Sequence, residues 1–450
     1  MIFGPSLREF LGGSIMSDWN LEDLNSWDDK ICNIAEKYNL DWHQINYEVC
    51  DYYEMMGHMS YHGVPSHYNH WSYGKSFERT HQLYNAGLEG LPYELIINSN
   101  PSIAYLMKEN PLHLQILIMA HCVGHSDFFK NNRAFKNTRP DTVVSRFRNA
   151  KKRIQGYIED PNIGIDHVET FLDALHTIRL QTERNQIKRL SRKEVKQKYI
   201  NIINNDSDGK YKNFDLDKDL LEPDYDLLGF LIDYGTHFKD WQIDILNIVK
   251  DESHYFIPQI KTKIMNEGWA CFWHYKILNE LNLPQDCHIP FLKSHNQVVR
   301  PHLGKINPYH LGFSLFKKLE KDLGIDECFF IREIHEDESF IRCHLDFDAC
   351  RDLNLFTYST KKKGITIDDV SDEESWKTVR SDLIKNVGLN SIPRVFVSDI
   401  STSGNLILEH NHDGRDLELD YAEEVVRKIQ TIWPKDVKFF TIIEEEPWEI

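Results

Sequence analysis

Residues 112–129 read LHLQILIMAHCVGHSDFF, and this stretch decides the fold. Its side chains are apolar on nearly every face, whereas a helix at a protein surface keeps one polar face. Pro111 stands directly before it, and proline is well tolerated in the first turn of a helix. The stretch therefore predicts a helix that is buried in the core of a mainly helical protein.

Two histidines on this predicted helix, His121 and His125, are four residues apart. Side chains at i and i+4 lie on one face of a helix, about one turn from each other. Two imidazoles placed in this way can both ligate one tetrahedral metal ion, as they do in HExxH helices. The alternative is a pair of buried histidines whose ring nitrogens are satisfied by hydrogen bonds in the core. The sequence leaves both interpretations open.

A second apolar segment, residues 256–280, contains NEGWACFWH at positions 266–274. Glu267, Cys271 and His274 are spaced i, i+4 and i+7, so all three share one helix face. A buried carboxylate is costly unless a cation, a metal ion or several hydrogen-bond donors compensate for it. We therefore expect Glu267 to be a third metal ligand, and His274 to be a fourth ligand or a partner behind the ligands. The alternative for Glu267 is a backbone cap or an ion pair with a nearby lysine.

The predicted metal ligands are thus His121, His125, Glu267 and His274, with Zn or Fe as the ion.

Three residues are candidates for a catalytic role. Cys122 stands where an HExxH helix has the glutamate that activates water, so it is a core residue, a soft metal ligand or a nucleophile. His70 lies in a histidine-rich stretch with glycine and proline, residues 58–81, which can line a pocket. Glu94 is an open candidate for a second carboxylate. Because the usual general base is missing, the sequence favours a metal site more than it favours hydrolysis.

The composition argues against several function classes. The 450 residues carry 52 basic and 70 acidic side chains, a net charge of −18, which disfavours binding to nucleic acid. No stretch reaches the roughly 18–20 consecutive apolar residues that span a bilayer, and the N-terminus has no secretory signal. A cytoplasmic protein without membrane insertion is therefore expected. The phosphate-binding motifs GxxxxGK(S/T) and GxGxxG are absent, so no nucleotide cofactor is predicted.

The alternation of apolar, polar and β-rich segments predicts a helical core made of two segments, a polar linker between them and a small C-terminal α+β domain. The predicted ranges are a leader at 1–19 (which need not be native, since Met16 is an alternative start), the first core segment at 20–197, the linker at 198–224, the second core segment at 225–345, and the α+β domain at 346–450. The second core segment is expected to pack on the first.

Within the first core segment, residues 20–56 and 81–110 are expected to be helical. The predicted fold class is therefore mainly α, built on either a zincin-like core or another helical metal-site core, and followed by the α+β domain.

Several stretches together resemble the stage V sporulation protein R family, the SpoVR-like proteins. They include HGVPSHYNHWSYGKSFER at 62–79, YELIINSNPSIAYLM at 93–107, AHCVGHSDFFKNN at 120–132, DESHYFIPQIKTKIMNEGWACFWHYKIL at 251–278 and INPYHLGFSLFKKLE at 306–320. The resemblance implies a cytoplasmic protein linked to spore cortex formation in spore-forming bacteria. It also implies two partners whose genes lie nearby, a PrkA-type serine protein kinase and a von Willebrand A-like protein.

Two functions are consistent with these observations. The first is a regulatory or scaffold protein of a sporulation and stress system that carries a buried His/Glu metal-like site. The alternative is a metal-dependent hydrolase, related to a degenerate zinc peptidase, that acts on a peptide or peptidoglycan-related substrate. The sequence leaves open whether the protein is an enzyme, because Cys122 replaces the catalytic glutamate.

Overall fold

The computed structural model of the chain describes residues 18–61, 63–64, 67–85, 94–184, 189–205, 209, 220–302, 306–361 and 364–450. Most of these residues are helical. The α-helices of the described chain are α1 Leu21–Lys37, α2 Tyr52–Ser60, α3 Trp71–Asn85, α4 Leu112–Asn131, α5 Val143–Glu159, α6 Gly164–Ile178, α7 Arg192–Asn204, α8 Leu227–Tyr234, α9 Asp240–Lys261, α10 Lys263–Glu280, α11 Gln285–Val298, α12 Pro308–Leu323, α13 Ile325–Ile334, α14 Asp337–His344, α15 Phe347–Asp352, α16 Trp376–Lys385 and α17 Leu419–Gln430.

The strands form three small sheets. Their bounds are β1 Ile45–Cys50, β2 Glu94–Ile97, β3 Ser102–Met107, β4 Phe356–Lys361, β5 Gly364–Val370, β6 Val395–Ile400, β7 Leu406–His410, β8 Val437–Ile443 and β9 Glu446–Glu449. The first sheet has the order β1-β3-β2, the second pairs β4 with β5, and the third has the order β6-β7-β8-β9. The protein is therefore mainly α with some β, as the sequence predicts.

The chain is divided into two compact units, each of which is discontinuous in sequence. The first unit combines 1–151 with 258–388, and the second combines 152–257 with 389–450. The leader predicted at 1–19 lies outside the described residues except for its last two, and much of the linker predicted at 198–224 does too. The domain ranges expected from composition stay predictions.

Helices α4 and α10 lie side by side in the core of the first unit. Residues 114–129 of α4 are buried without a break, and α10 buries both of its tryptophans, Trp269 and Trp273. The indole nitrogen of Trp269 donates a hydrogen bond of 2.8 Å to Asp127 on α4. The buried helix predicted around residues 112–130 is confirmed, because side chains that are apolar on every face need neighbours on every face.

Glycines set the distance between α10 and the helices on either side of it. A methyl group at Gly124 of α4 would lie 2.7 Å from the Cα atom of Ala270 on α10. A methyl group at Gly268 of α10 would lie 2.4 Å from the backbone of Gly312 on α12. Both separations are far below the 3.5–4.0 Å at which carbon atoms attract each other. The three helix backbones therefore approach as closely as they do only because these positions lack a side chain.

Two of the segments expected to be helical contain strands instead. The expectation for 20–56 is correct for α1 but wrong for β1, and the expectation for 81–110 is wrong for β2 and β3. Strand β3 lies in the middle of its sheet, parallel to β1 and antiparallel to β2. Short apolar runs of this length fit a helix or a buried strand equally well by periodicity. Pairing between segments that are distant in sequence decides the outcome here, and a single-segment pattern does not contain it.

The β-rich character of the C-terminal residues is confirmed in the second unit. Strands β6 to β9 form a four-stranded sheet, in which β7 and β8 are parallel and are connected through α17. Lys428 of α17 forms an ion pair of 2.9 Å with Asp173 of α6. These elements supply the second unit with its own core.

A buried carboxylate closes the N-terminal end of α10. The two oxygens of Asp337 accept hydrogen bonds of 2.9 Å from the backbone N–H groups of Ile264 and Met265. The side chain is almost completely buried, and burial raises the pKa of Asp337 to about 7, although the two N–H groups oppose the rise. The folded protein therefore holds a proton on Asp337 at a pH at which the unfolded chain has released it.

We expect Asp337 to make the protein less stable as the pH rises from about 4 to about 7. Because the pKa is higher in the folded than in the unfolded state, the contribution is complete below the unfolded pKa and is lost as the pH rises through the folded pKa. Urea unfolding at several pH values should show that Asp337→Asn gains stability relative to the wild type across this window. Asp346→Asn is the control. Burial would raise the pKa of Asp346, but the backbone N–H of Ala349 and the side chain of Lys318 outweigh burial and hold this pKa below its usual value. The prediction is wrong if Asp337→Asn follows the wild type between pH 4.5 and 7.

Candidate metal centre

Four ionisable side chains of the first unit converge between α4, α10 and the start of β2. They are Glu94, His121, His125 and Glu267, and one ligand atom of each lies within 4.8 Å of the others. The two histidines come from one face of α4, and Glu267 comes from α10 across the helix contact that Gly124 permits. Glu94 is the first residue of β2, whose sheet packs on α4. The helix spacing of four residues and the glycine contact together bring these groups into one place.

The distances in this cluster are those of ligands around one ion. The Nε2 atom of His121 lies 3.6 Å from Glu94 Oε1 and 3.8 Å from Glu267 Oε2, and His125 Nε2 lies 3.5 Å from Glu267 Oε2. These separations exceed the 2.7–3.2 Å of an N–H···O hydrogen bond. Atoms that ligate a tetrahedral ion at 2.0–2.2 Å stand about 3.3–3.6 Å apart. These three separations are therefore long for hydrogen bonds and close to the spacing of ligand atoms around one shared cation.

Two atoms at the centre of the cluster are buried and unsatisfied. Within the described residues, His121 Nε2 and Glu267 Oε2 have no hydrogen-bond partner. Such orphaned buried polar atoms are rare, because each costs about 1–3 kcal/mol. The imidazoles are the more enclosed groups, with 3% and 5% of their side chains exposed, against 12% for Glu94 and 17% for Glu267. The residues fit a metal ion, and the carboxylates form the less enclosed side of the cluster.

The electrostatics of the cluster favour a cation. Burial alone would raise the pKa of Glu267, but the imidazoles of His121 and His125 outweigh it and hold that pKa well below its usual value. Burial likewise would lower the pKa of His125, yet Glu267 and Glu94 raise it. Burial raises the pKa of Glu94. The imidazole of His121 opposes this rise, and the negative charge of Glu267 increases it. Two carboxylates and two imidazoles that compete for a proton in this way also attract a divalent ion.

Asn266 orients His125. The Nδ1 atom of His125 lies 2.8 Å from the Asn266 side-chain oxygen, which can only accept, so the ring donates from Nδ1. When the ring is neutral, the other nitrogen, Nε2, carries the lone pair, and this atom points at Glu267. This is the arrangement by which proteins prepare a histidine for metal binding. Asn266 directly precedes Glu267 in sequence, and that adjacency was the only signal of its role.

His274 lies behind the cluster and is not among its four groups. Its Nδ1 atom is 2.9 Å from Nδ1 of His121, and its Nε2 atom is 2.7 Å from Nδ1 of His295 on α11. Burial lowers the pKa of His274 well below its usual value and that of His295 to about 4, so both rings are neutral at pH 7. His295 was not identified from the sequence, because it lies on a separate helix with no motif around it. The role of His274 as a direct ligand stays a prediction.

A second group that could hold a metal ion shares His121 with the first. It combines His121, Cys271 and His274, all of them buried. The 2.9 Å between the two Nδ1 atoms is a normal hydrogen-bond length, so this pair of rings is satisfied by a hydrogen bond. Burial also raises the pKa of the Cys271 thiol well above its usual value. The four-residue cluster is therefore the stronger candidate.

Of the three catalytic candidates, the structure brings only Glu94 to the cluster. Cys122 is fully buried in the apolar core, and burial raises the pKa of its thiol well above the usual value, which disfavours a nucleophilic thiolate. His70 precedes α3, where its Nδ1 lies 2.7 Å from the Ser72 hydroxyl and its ring contacts Trp71. Neither of these two residues belongs to a metal-type group of the described chain. Their catalytic roles stay predictions.

Tyr309 of α12 is a further residue at the cluster. Its ring lies nearly parallel to that of His121, with 6.4 Å between the centroids. Burial raises the pKa of its hydroxyl well above the usual value, and the charges of Glu267 and Glu94 add to this. The residue therefore remains protonated and offers a hydrogen-bond donor beside the carboxylates. Sequence reasoning missed Tyr309, although it falls within the quoted stretch INPYHLGF.

Fold and site together define a class, a mainly helical protein in which two central helices and a small sheet bring two imidazoles and two carboxylates into contact. The chain belongs to the SpoVR like protein family, whose model matches residues 18–392. It is similar to "Uncharacterized protein YcgB" of Escherichia coli (strain K12), with 32% identity over 93% of this chain and 92% of that protein. No solved structure matches the chain. Among the described residues, no helix is both long enough and apolar enough to cross a membrane.

Proposed function

We propose that this protein binds one transition-metal ion, Zn or Fe, through His121, His125, Glu267 and Glu94. The observation that carries the proposal is the set of N···O separations of 3.5–3.8 Å around buried atoms that lack hydrogen bonds. A donor set of two imidazole nitrogens and two carboxylate oxygens suits either ion. When bound, such an ion would act as a Lewis acid. Asn266 would hold the His125 ring in place, and the carboxylates would balance the charge.

The metal proposal makes a direct prediction about purified protein. We expect close to one equivalent of Zn or Fe per chain by elemental analysis, and a content below about a tenth of this in His121→Ala. His113→Ala, a substitution on the same helix outside the cluster, is the control and should retain the metal. Wild-type protein that stays metal-free after incubation with Zn²⁺ or Fe²⁺ and desalting would contradict the proposal.

The biological role that we propose is regulatory. We propose a cytoplasmic protein of a sporulation and stress system, involved in spore cortex formation. It would act with a PrkA-type serine protein kinase and a von Willebrand A-like protein, as the resemblance to the SpoVR-like family implies. The metal centre would then stabilise or switch the form of the protein that binds these partners. Affinity purification of the tagged full chain from its own cells tests this role. Absence of both proteins from the eluate of the wild-type chain would argue against this role.

A second candidate function is metal-dependent hydrolysis of a peptide or peptidoglycan-related substrate, on a zincin-like core. One observation favours it. Cys122 stands where an HExxH helix has its catalytic glutamate, and Glu94 supplies a carboxylate next to His121 that can take the place of this missing base. Burial raises the pKa of Glu94, which suits a group that accepts a proton from an attacking water. In this alternative His121, His125 and Glu267 hold the ion and Glu94 is the base. Glu94→Gln should then abolish hydrolysis of a peptide library while the metal content stays unchanged, whereas loss of the metal would assign Glu94 as a ligand.

A further inference from the structure

We propose that metal occupancy is transmitted from the cluster to His295 by a chain of three hydrogen-bonded imidazoles, His121, His274 and His295. This inference rests on the proposed metal site and concerns its regulation. Its two links are short, 2.9 Å between His121 and His274 and 2.7 Å between His274 and His295. All three residues are at most 2% exposed, so water does not compete with these two hydrogen bonds.

Each neutral imidazole has one N–H donor and one lone pair, so the chain can run in only two directions. In the first, His121 donates from Nδ1 to His274, which donates from Nε2 to His295. In the second, every donor and acceptor is exchanged, and His295 donates from Nδ1 toward His274. No mixed arrangement is possible, because it would place two hydrogens or two lone pairs face to face.

The ligand atom of His121 determines which direction is stable. A metal ion needs the lone pair of Nε2, and this requires the hydrogen on Nδ1 and therefore the first direction. Without an ion, a bare Nε2 would face the oxygens of Glu94 and Glu267 at 3.6 and 3.8 Å. A hydrogen on Nε2 is then electrostatically preferred, and the second direction follows.

The change of direction conserves protons. When the ion binds, the Nε2 hydrogen of His121 leaves to solvent, one hydrogen passes from His274 to His121, and one passes from His295 to His274. His295 then takes a hydrogen from solvent at Nε2. Each of the three rings loses one hydrogen and gains one in this exchange, so the chain of imidazoles transmits a change of tautomer without moving net charge.

The far end of the chain lies beside a pocket. The His295 ring packs on Tyr275 with 4.7 Å between the centroids, and the charge of Lys317 acts on His295. Tyr275 and Lys317 both line a pocket of about 400 Å³. Binding of an ion at the cluster would therefore change which nitrogen of His295 carries a donor next to the walls of this pocket.

The test is a Zn²⁺ titration of the full-length protein followed by ¹⁵N NMR of its imidazoles, with resonances assigned by single substitutions. We expect His295 to carry its hydrogen on Nδ1 before Zn²⁺ is added and on Nε2 at saturation. His274→Phe breaks both hydrogen bonds, so the tautomer of His295 should no longer respond to Zn²⁺. The Zn²⁺ affinity should also fall about 10- to 100-fold, which is the usual cost of removing a residue that hydrogen-bonds to a metal ligand. His288→Phe, on the same helix α11, is the matched control and should respond as the wild type does.

Two outcomes would overturn the inference. One is a His295 tautomer that is the same with and without bound Zn²⁺, and the other is an unchanged response in His274→Phe. Should that variant fail to fold, the wild-type titration alone decides. Failure of the underlying metal proposal is distinguishable, because then no Zn²⁺ binds at all. The metal-free spectrum still tests the chain in that case, since a hydrogen on Nδ1 of His121 would contradict it.

Discussion

Replacing Gly268 with alanine is expected to lower the free energy of unfolding by about 3 kcal/mol, the upper end of the usual cost of overpacking. The new methyl group would lie 2.4 Å from the carbonyl carbon and the Cα atom of Gly312, and 2.9 Å from its carbonyl oxygen. All three are backbone atoms, so no side chain can rotate away. Helices α10 and α12 must separate, and the apolar contacts around Trp269 and Phe316 are lost with them.

Urea unfolding measures this effect, and Gly57→Ala provides the control. Gly57 lies in helix α2, and a methyl group there meets no atom within 4 Å. Alanine in an open helical position stabilises a protein by roughly 0.5–1 kcal/mol relative to glycine. The two substitutions are chemically the same and should therefore have opposite signs. A Gly268→Ala variant within about 0.5 kcal/mol of the wild type would contradict the close contact of α10 with α12.

The second large effect is expected at Glu267. Glu267→Gln keeps the size of the side chain but removes the negative charge that lies 3.5 Å from His125 and 3.8 Å from His121. An amide oxygen is a much weaker ligand than a carboxylate for Zn²⁺. Loss of a residue that only hydrogen-bonds to a metal ligand can raise the dissociation constant by roughly 100-fold. Because Glu267 is itself a proposed ligand, we expect Glu267→Gln to raise the dissociation constant for Zn²⁺ by more than this.

Competition against a chelating dye gives this dissociation constant directly. Glu280→Gln is the matched control, because Glu280 ends the same helix and contacts Lys37 and Tyr38 instead of the imidazoles. Its Zn²⁺ affinity should equal that of the wild type. Equal affinities of Glu267→Gln and the wild type would remove Glu267 from the ligand set and leave its buried oxygen unexplained.

The sequence predicts the features of this site that depend on helix geometry. His121 and His125 had to share a face, and Glu267 had to lie in a buried helix, because both follow from spacing and apolar character within one segment. It could not predict that Glu94 starts a strand, since the run around it fits a helix equally well. Nor could it identify Asn266, His295 or Tyr309 as partners. Their roles depend on how distant segments pack, which no local pattern contains.

The same limit applies to the fold. The buried helix α4 and the C-terminal strands were predictable from their own residues. Strands β1 and β3 were not, because their pairing joins residues such as Ile45 and Ser102 that are more than fifty positions apart. The glycines that set the helix distances could be seen in the sequence, but their function is evident only against Ala270 and Gly312.

The discontinuity of the first unit has a consequence for biosynthesis. His125 and its hydrogen-bond partner Asn266 are separated by 141 positions, and the whole of 152–257 lies between them in the other unit. A ribosome that adds about 5–20 residues per second needs roughly 7–28 s to travel from one to the other. During that interval α4 has been made but α10 has not, so its apolar surface lacks the helix that covers it. The core of the first unit can therefore close around α4 only after Glu267 and the rest of α10 have emerged.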